Sequence, residues 1–398
     1  MGKTVVKEDE KIDLTQVDGD LEVQDGATIN VPKSAERLTI IGKLISRGDI
    51  LIHGAVSAAE IRHSGGYLEI NGNVKAEEVK VHSRGSRNGS KLIVIGSLEC
   101  DEAVIEGALE VDKDLTSNEV EINGACTVHG LAKIKDYEIN GSAKHGMDLV
   151  TEELEVNGSL KAQANVSVSG SFQQSGSAKI EGLLETPEVD VSGSLRCYEI
   201  IANSAEISGS ARIEITKVEK ELTISGSFKC TGSVVSPKVS CSGACGFGDD
   251  SVVQKLTSNG ATKVGDNFKF DTIEVNGAFK IDGDAVGKEL TVNGSTSAEG
   301  NLKLEGDLKV NGSLTASMLE ANEIKVEGGL VAQETTAKSV YVGENSRVRG
   351  ILKADTVEVD DGGRVDHIIA NKVKLGEDTK IGKLEASDID ADPSAKYK

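Results

Sequence analysis

The segment LEVNGSL at residues 154–160 carries the pattern on which the fold depends. Apolar and polar residues alternate along it, on both sides of Asn157 and Gly158. Side chains that alternate in this way point to opposite faces of a β-strand. The segment therefore predicts strands with one buried face, joined at a corner that contains the glycine.

Close copies of this segment recur along the chain. They include VEINGAC (120–126), VDVSGSL (189–195), LTISGSF (222–228), IEVNGAF (273–279) and LKVNGSL (308–314). The glycine of each copy is called a marker glycine below. The marker glycines are Gly107, Gly124, Gly141, Gly158, Gly176, Gly193, Gly209, Gly226, Gly243, Gly260, Gly277, Gly294, Gly312 and Gly328. They recur about every 17 residues, so the chain is a repeat protein.

The repeat length and the missing helical periodicity define the fold class. Propeller blades and leucine-rich repeats need longer units, whereas about 17 residues fit one turn of a parallel β-helix. Further glycines at about one third and two thirds of the repeat, such as Gly130 and Gly170, indicate three corners per turn. We predict an all-β, single-stranded triangular parallel β-helix of roughly 20 turns. We attribute the corner glycines to positive φ and to their missing side chain.

The repeat also predicts the domain organisation. We expect one continuous β-helix rod without a linker between domains. The predicted segments are a flexible N-terminus (1–11), the rod (12–389), which is irregular over 12–106 and regular over 107–345, and a C-terminal tail (390–398).

One insertion interrupts the early turns. The step from Gly72 to Gly96 is longer than one repeat, and the sequence HSRGSRNGSK (82–91) accounts for the excess as a loop. A weaker interruption is NVPKSAER (30–37). Arg84, Arg87 and Lys91 make the loop the most basic exposed segment, so they are a candidate contact for an acidic partner or lipid head group. A merely solvated loop explains them as well.

The composition excludes several functional classes. The chain has 398 residues, 44 Lys and Arg against 65 Asp and Glu, a net charge of −21, 11 Phe and Tyr, and no Trp. The acidic balance argues against nucleic acid as a partner. No apolar stretch is long enough for a transmembrane segment. The first residues, MGKTVVKEDEK, lack the apolar core of a signal peptide, so we expect a cytoplasmic protein.

Neither cysteines nor histidines form a pattern typical of a site. Cys100, Cys126, Cys197, Cys230, Cys241 and Cys245 all lie at even offsets from a glycine, which is the inward parity. We expect reduced thiols in the core, which together with the missing signal peptide favour the cytoplasm. A disulfide or metal site within CSGAC (241–245) is the alternative. The histidines, including His53 and His129, are expected on the surface. We predict no enzyme activity, catalytic residue, cofactor or metal.

The third position before the marker glycine carries a charge pattern. It is acidic in six copies and becomes lysine in two late copies. The residues are Glu121, Glu138, Glu155, Asp190, Glu206, Glu274, Lys309 and Lys325. This pattern either orients neighbouring copies or forms a solvated face that prevents aggregation.

The repeated phrase has seven positions: an aliphatic residue, any residue, Val or Ile, any residue, Gly, a small residue or Lys, and an apolar residue. This phrase resembles the sequence pattern of the bactofilin family of polymer-forming cytoskeletal proteins. The resemblance covers about residues 38–386. It implies a right-handed helix, nucleotide-independent non-polar filaments formed end to end, and a scaffold role. The chain differs in its greater length, its short flanking tails and its lack of an apolar N-terminal membrane-targeting segment.

We therefore predict a filament-forming cytoskeletal or scaffold protein whose main partner is itself, with a second filament or scaffold protein as a further candidate. One alternative is an extracellular surface fibre or adhesin, which glycans at Asn157 or Asn311, both in Asn-Gly-Ser, would favour. The less favoured alternative is a left-handed hexapeptide-repeat enzyme, whose turns are slightly longer than this repeat and place histidines between coils.

Overall fold

The computed structural model describes residues 2–83 and 89–398. The chain divides into two compact units, residues 1–202 and 203–398. Each unit is a parallel β-solenoid with about 17 residues per turn, and the two together hold about 23 turns. No helix is present among the described residues. The prediction of an all-β parallel β-helix is confirmed.

The first unit contains 22 strands and the start of another among its described residues. They are β1 (Lys3–Val6), β2 (Lys11–Asp13), β3 (Gln16–Val17), β4 (Asp20–Val23), β5 (Thr28–Asn30), β6 (Arg37–Arg47), β7 (Ile50–His53), β8 (Ala55–Ser64), β9 (Gly66–Ile70), β10 (Val74–His82), β11 (Ser90–Val94), β12 (Leu98–Ile105), β13 (Ala108–Val111), β14 (Leu115–Ile122), β15 (Ala125–Val128), β16 (Ala132–Ile139), β17 (Ser142–His145), β18 (Leu149–Val156), β19 (Ser159–Ala162), β20 (Val166–Val168), β21 (Ser171–Gln174), β22 (Ser177–Val191) and β23 (Ser194–Ile207), which continues past residue 202.

The second unit contains the remaining strands. They are β24 (Ser210–Ile224), β25 (Ser227–Cys230), β26 (Val234–Cys241), β27 (Ala244–Phe247), β28 (Val252–Ser258), β29 (Ala261–Val264), β30 (Phe268–Val275), β31 (Ala278–Ile281), β32 (Ala285–Gly287), β33 (Glu289–Val292), β34 (Ser295–Ala298), β35 (Asn301–Leu304), β36 (Asp307–Val310), β37 (Ser313–Glu320), β38 (Glu323–Val326), β39 (Gly329–Val342), β40 (Arg347–Val359), β41 (Arg364–Leu375) and β42 (Lys380–Ala391).

The strands pair in parallel, each with the equivalent strand one turn away. In the first unit, Leu115 pairs with Ala132 and Ala132 with Leu149. In the second unit, Ala261 pairs with Ala278 and Ala278 with Ser295. This register keeps identical repeat positions on top of one another, so a residue type repeated in the sequence becomes a column in the structure.

Each regular turn has three segments with buried side chains. In the turn after Gly107, β13 buries Leu109 and Val111, and β14 buries Leu115, Ser117, Val120 and Ile122. Two consecutive exposed residues, Asn118 and Glu119, interrupt the alternation within β14. These breaks in parity match the three corners of the predicted triangular turn. The handedness stays a prediction.

Small and aliphatic side chains fill the interior of both units. Leu, Ile, Val and Ala form most of the buried set, and the few buried aromatic residues cluster locally. In the second unit, Phe268 lies with its ring centroid 5.7 Å from that of Phe270. The narrow interior of so short a turn explains the scarcity of aromatic residues in the sequence.

The segment boundaries differ from the expected ones at both ends. Within the segment predicted as a flexible N-terminus (1–11), β1 pairs with β4, and β2, which begins at Lys11, pairs with β5, both in the register of one regular turn. The predicted tail at 390–398 contains the last residues of β42 and a parallel bridge between Lys380 and Lys396. Apolar and polar residues alternate only weakly in both terminal segments. They form strands nevertheless, because the neighbouring strands supply partners for their backbone hydrogen bonds.

Both predicted interruptions appear as longer steps in register. Leu21 in β4 pairs with Leu44 in β6, and this step includes the insertion at 30–37. Val74 in β10 pairs with Leu98 in β12, and this step includes the insertion at 82–91. Strand β10 extends to His82 and β11 begins at Ser90, so the second interruption is shorter than predicted.

Candidate functional site

The marker glycines form a column in which successive turns make close contact. The carbonyl oxygen of Gly124 accepts a hydrogen bond of 2.8 Å from the backbone N–H of Ser142 in the next turn. A Cβ added to Gly141 would lie 2.0 Å from this oxygen. In the second unit, a Cβ on Gly277 would lie 2.1 Å from the carbonyl oxygen of Gly260. Glycine is therefore required by contact between the turns.

The expected reason for these glycines was partly wrong. None of the marker glycines from Gly107 to Gly328, a stretch that the structure describes fully, has a positive φ. Positive φ occurs instead in irregular turns, as at Gly48 (φ 90°) and Gly350 (φ 99°). The marker glycines keep ordinary backbone angles, and the predicted lack of room for a side chain is the reason that the structure supports.

Asparagines before the marker glycines form a hydrogen-bonded ladder. In the first unit, the Nδ2 atom of Asn140 donates to Oδ1 of Asn123, and Nδ2 of Asn157 donates to Oδ1 of Asn140, both at 3.1 Å. In the second unit, Asn276 donates to Asn259 and Asn293 to Asn276, both at 2.8 Å. Stacked amides of this kind reinforce parallel in-register strands.

The predicted partner loop is placed only in part. Arg84 and Arg87 lie outside the described residues. Lys91 belongs to β11 rather than to a loop, and its ammonium group pairs with the Glu110 carboxylate. Hydrogen bonding to Lys91 is the main cause that lowers the pKa of Glu110. The described part of the candidate loop is therefore neutralised by its own unit.

One group of side chains near Lys91 has the composition of a cation site. Ligand atoms of Glu110, Asp112 and His129 lie within 4.8 Å of one another. All three side chains are at least partly exposed, and Lys91 already occupies the Glu110 carboxylate. The Lys91 ammonium group would compete with a metal ion for the Glu110 carboxylate. The expectation of no metal stays a prediction.

The cysteines all face the interior, as their parity predicted, but they are not all reduced. Cys241 and Cys245 form a disulfide across the corner at Gly243, with their Cα atoms 6.4 Å apart. Both lie two positions from the glycine, so the corner itself brings them together. The expectation of reduced thiols is wrong for this pair. The remaining four cysteines are buried and free.

Two histidines lie in the interior, contrary to the expected surface positions. His63 satisfies both ring nitrogens, with Ser46 Oγ at 3.0 Å and the Gly66 carbonyl at 3.0 Å. His145 lies 3.0 Å from the Tyr137 hydroxyl through Nε2, while its Nδ1 has no partner in the described part of the chain. Burial lowers the pKa of His145 to about 4. Its offset of four from Gly141 is the inward parity, and that signal could have revealed its burial.

Carboxylates are concentrated on one face of the first unit. Six of them, here called the acidic array, lie in two columns over three consecutive turns. They are Glu119, Glu121, Asp136, Glu138, Glu153 and Glu155. Between the columns runs a groove of about 210 Å³. Asn123, Asn140 and Asn157 each donate a hydrogen bond of 2.7 Å to the carboxylate two positions before them.

A column of cations lies on the opposite side of the same corner. These exposed residues, here called the basic column, all occupy the third position after a marker glycine. They are Lys144, Lys161, Lys179 and Arg196. Sequence reasoning examined the third position before the glycine but missed the one after it, although a regular offset of three was visible.

The predicted late lysines line a groove in the second unit. Lys309 and Lys325 border a groove of about 740 Å³ whose floor includes Leu308 and Ile324. The Lys325 ammonium group lies 5.6 Å from the centroid of the Tyr341 ring, a cation–π distance. Acidic residues, among them Glu323, border the same groove, so its lining carries mixed charge.

Comparisons of this chain with protein-family models, curated proteins and solved structures found no match. Nothing among the described residues forms a helix long and apolar enough to cross a membrane.

Two adjacent glycines, Gly328 and Gly329, give a matched test of the glycine column. A Cβ on Gly328 would lie 2.1 Å from the Gly312 carbonyl oxygen, whereas a Cβ on Gly329 would meet nothing within 4 Å. We expect Gly328→Ala to destabilise the protein by about 1–3 kcal/mol because the turns must separate. Gly329→Ala should be neutral or slightly stabilising. Urea unfolding followed by circular dichroism measures both; equal effects would contradict the contact argument.

The buried His145 predicts a pH dependence of stability. Its pKa is about 4 in the folded state and about 6.5 in an unfolded chain, so only the unfolded state binds its proton between these values. Stability should therefore fall by roughly 3 kcal/mol from this residue as the pH drops from 6.5 to 4. His145→Gln should flatten that slope in urea unfolding. The exposed-site control His129→Gln should keep it, and equal slopes for the wild type and His145→Gln would refute the assignment.

Proposed function

We propose that this chain is a structural protein that assembles end to end into filaments, without nucleotide and without catalytic activity, through the first turn of its first unit and the last turn of its second unit. The observation that carries the proposal is the incompletely paired strand edge of the last turn in the second unit. Strand β42 pairs with β41 on one edge. Among the described residues, the other edge is contacted only near its start, where Ile381 and Leu384 donate backbone hydrogen bonds to the carbonyl oxygens of Lys396 and Lys398.

Inward-facing side chains of β42 lack the cover that the preceding turn has. Ile389 is 41% exposed, although its register partner Val373 is fully buried. Leu384 is partly exposed, while its partner Ile368 is buried. An apolar section beside an unpaired strand edge is the kind of surface that extends a parallel solenoid when another turn docks on it.

The first turn of the first unit offers a similar edge. Strand β1 pairs with β4, and the described residues provide no strand for its other edge. Thr4 on this strand is exposed, although its register partner Leu21 is fully buried. Backbone groups on both terminal edges gain hydrogen-bond partners when copies join, which supports end-to-end assembly. The resemblance to bactofilins, which implies this mode, rests on the sequence pattern.

Two substitutions at neighbouring positions test the proposal. Ile389→Lys places a charge in the exposed apolar section, whereas Asp390→Lys changes the outward-facing neighbour. We expect wild-type protein and Asp390→Lys to form filaments in negative-stain electron microscopy. Ile389→Lys should give short particles at the same concentration, because burying an unpaired charge opposes docking. Wild-type protein that stays as single particles at high concentration would contradict the proposal.

The disulfide favours a second candidate function, a surface fibre or adhesin outside the cell. Disulfides such as Cys241–Cys245 persist in oxidising compartments, and the expectation of a cytoplasmic protein rested partly on reduced cysteines. The glycosylation motif at Asn157 supports this candidate less than the disulfide does. The Asn157 amide donates to both Asn140 and Glu155, and a glycan would replace one of these hydrogens.

A thiol count separates the two candidates. Cells are quenched in denaturant with an alkylating reagent, without reductant, and the protein is analysed by mass spectrometry. A surface fibre should show four alkylated cysteines, since Cys241 and Cys245 are protected by their bond. A cytoplasmic scaffold should show six, because cytosolic thiols are kept reduced. Alkylation of Cys241 and Cys245 would show that the disulfide is absent in cells, which would contradict the surface-fibre candidate.

A further inference from the structure

We infer that the acidic array of one copy binds the basic column of a second copy, side by side. This inference deepens the proposed function, since it names a lateral contact for a self-assembling scaffold. It rests on the charges and geometry of the first unit. The proposed partner is another molecule of the same chain.

Both charged surfaces are stacks of like charges in direct register. Lys144 pairs with Lys161, and Lys161 pairs with Lys179, on adjacent strands. In the acidic array, Glu121 pairs with Glu138, which pairs with Glu155. Adjacent strands lie about 4.8 Å apart, and like charges directly opposite each other are destabilising. Each surface is therefore more favourable when opposite charges cover it.

The first unit supplies little compensation for these charges. Lys179 pairs with Glu181 at 2.8 Å. For Lys144, Lys161 and Arg196, and for the six carboxylates of the acidic array, no oppositely charged group lies within 4.0 Å among the described residues. Hydrogen bonds from asparagines fix the Glu121, Glu138 and Glu155 side chains without neutralising them. At longer range, Glu181 also interacts electrostatically with Lys161 and Arg196, so one carboxylate serves three cations of the basic column. The charge that it leaves uncompensated is available to a partner outside the unit.

The two surfaces match in shape and spacing as well as in sign. The groove of the acidic array has Val120, Tyr137 and Leu154 between its two columns of carboxylates. A lysine that enters this groove meets carboxylates on both sides. The basic column repeats at the same distance of one turn as the carboxylates, so several cations enter together. Small residues flank the column at Ser142, Ser159 and Ser177, and leave its side chains accessible.

Because each copy carries both surfaces, the contact is heterologous and can repeat. One copy offers its acidic array to a neighbour and its basic column to another, which produces an open lateral series. The net charge of −21 opposes non-specific association, so a local match of charges is needed for copies to approach. Lateral pairing of this kind would bundle filaments into a thicker scaffold.

A charge-swap experiment tests the inference. One variant carries Glu121→Lys, Glu138→Lys and Glu155→Lys; Lys309 and Lys325 show that this repeat position accepts lysine. The other carries Lys144→Glu, Lys161→Glu and Arg196→Glu; Glu110 shows that its repeat position accepts glutamate. Circular dichroism confirms that each variant folds. Lateral association is measured by sedimentation velocity and by the width of particles in negative stain.

We expect each variant alone to lose lateral association about tenfold or more, since the substituted positions then face like charges on the neighbouring copy. An equimolar mixture should restore it, because the three lysines introduced in one variant then face the three glutamates introduced in the other. A control with the same charge change outside the column, Lys113→Glu, Lys133→Glu and Lys135→Glu, should associate as the wild type does. A mixture that stays dissociated, or single variants that associate normally, would overturn the inference.

The outcome is separable from that of the proposed function. Filament length along the solenoid axis reports end-to-end assembly, and particle width reports lateral pairing. Long, thin filaments from both variants and their mixture would refute the lateral contact alone. Charge-restored pairing of short particles would refute end-to-end assembly alone.

Discussion

The whole structure depends on one close contact, that between the marker glycine of one turn and the glycine carbonyl of the turn before. That carbonyl accepts the backbone hydrogen bond that joins the turns, and it occupies the place where a Cβ would lie, as at Gly141 and Gly124. Close approach at this corner sets the register, and the register places identical repeat positions in columns. The buried aliphatic columns, the asparagine ladder and the charged columns all follow from it.

Columns explain why the surface chemistry differs so much from face to face. Equivalent repeat positions lie next to one another in adjacent turns. A charged residue that recurs at one repeat position therefore produces a column of like charges. Asparagine tolerates such stacking because its amide both donates and accepts, and Asn140 does both. Stacked lysines or stacked glutamates repel one another, because each column has only one sign of charge. The charged columns therefore need partners in a way that the asparagine ladder does not.

Much of this fold was predictable from the sequence because parity and period are linear properties. Alternation around Gly158 and the constant spacing of the marker glycines identify a parallel β-helix and the inward positions, including all six cysteines. Properties that depend on three-dimensional spacing were not predictable in the same way. The φ angles of the marker glycines and the partner of His145 follow from how sharply the corner bends and what lies across it. The disulfide between Cys241 and Cys245 was available from the sequence only as an alternative, because their spacing alone does not fix whether the two sulfur atoms meet.

Successive repeats stack one strand spacing apart, and a distance measured across several turns reports this spacing. Spin labels at Glu110 and Arg196, which occupy the same repeat position five turns apart in the first unit, can be measured by pulsed electron paramagnetic resonance. Stacking in register predicts a narrow distribution at about 24 Å, since each turn rises about 4.8 Å. A broad distribution, or a distance far from that value, would contradict the stacked arrangement.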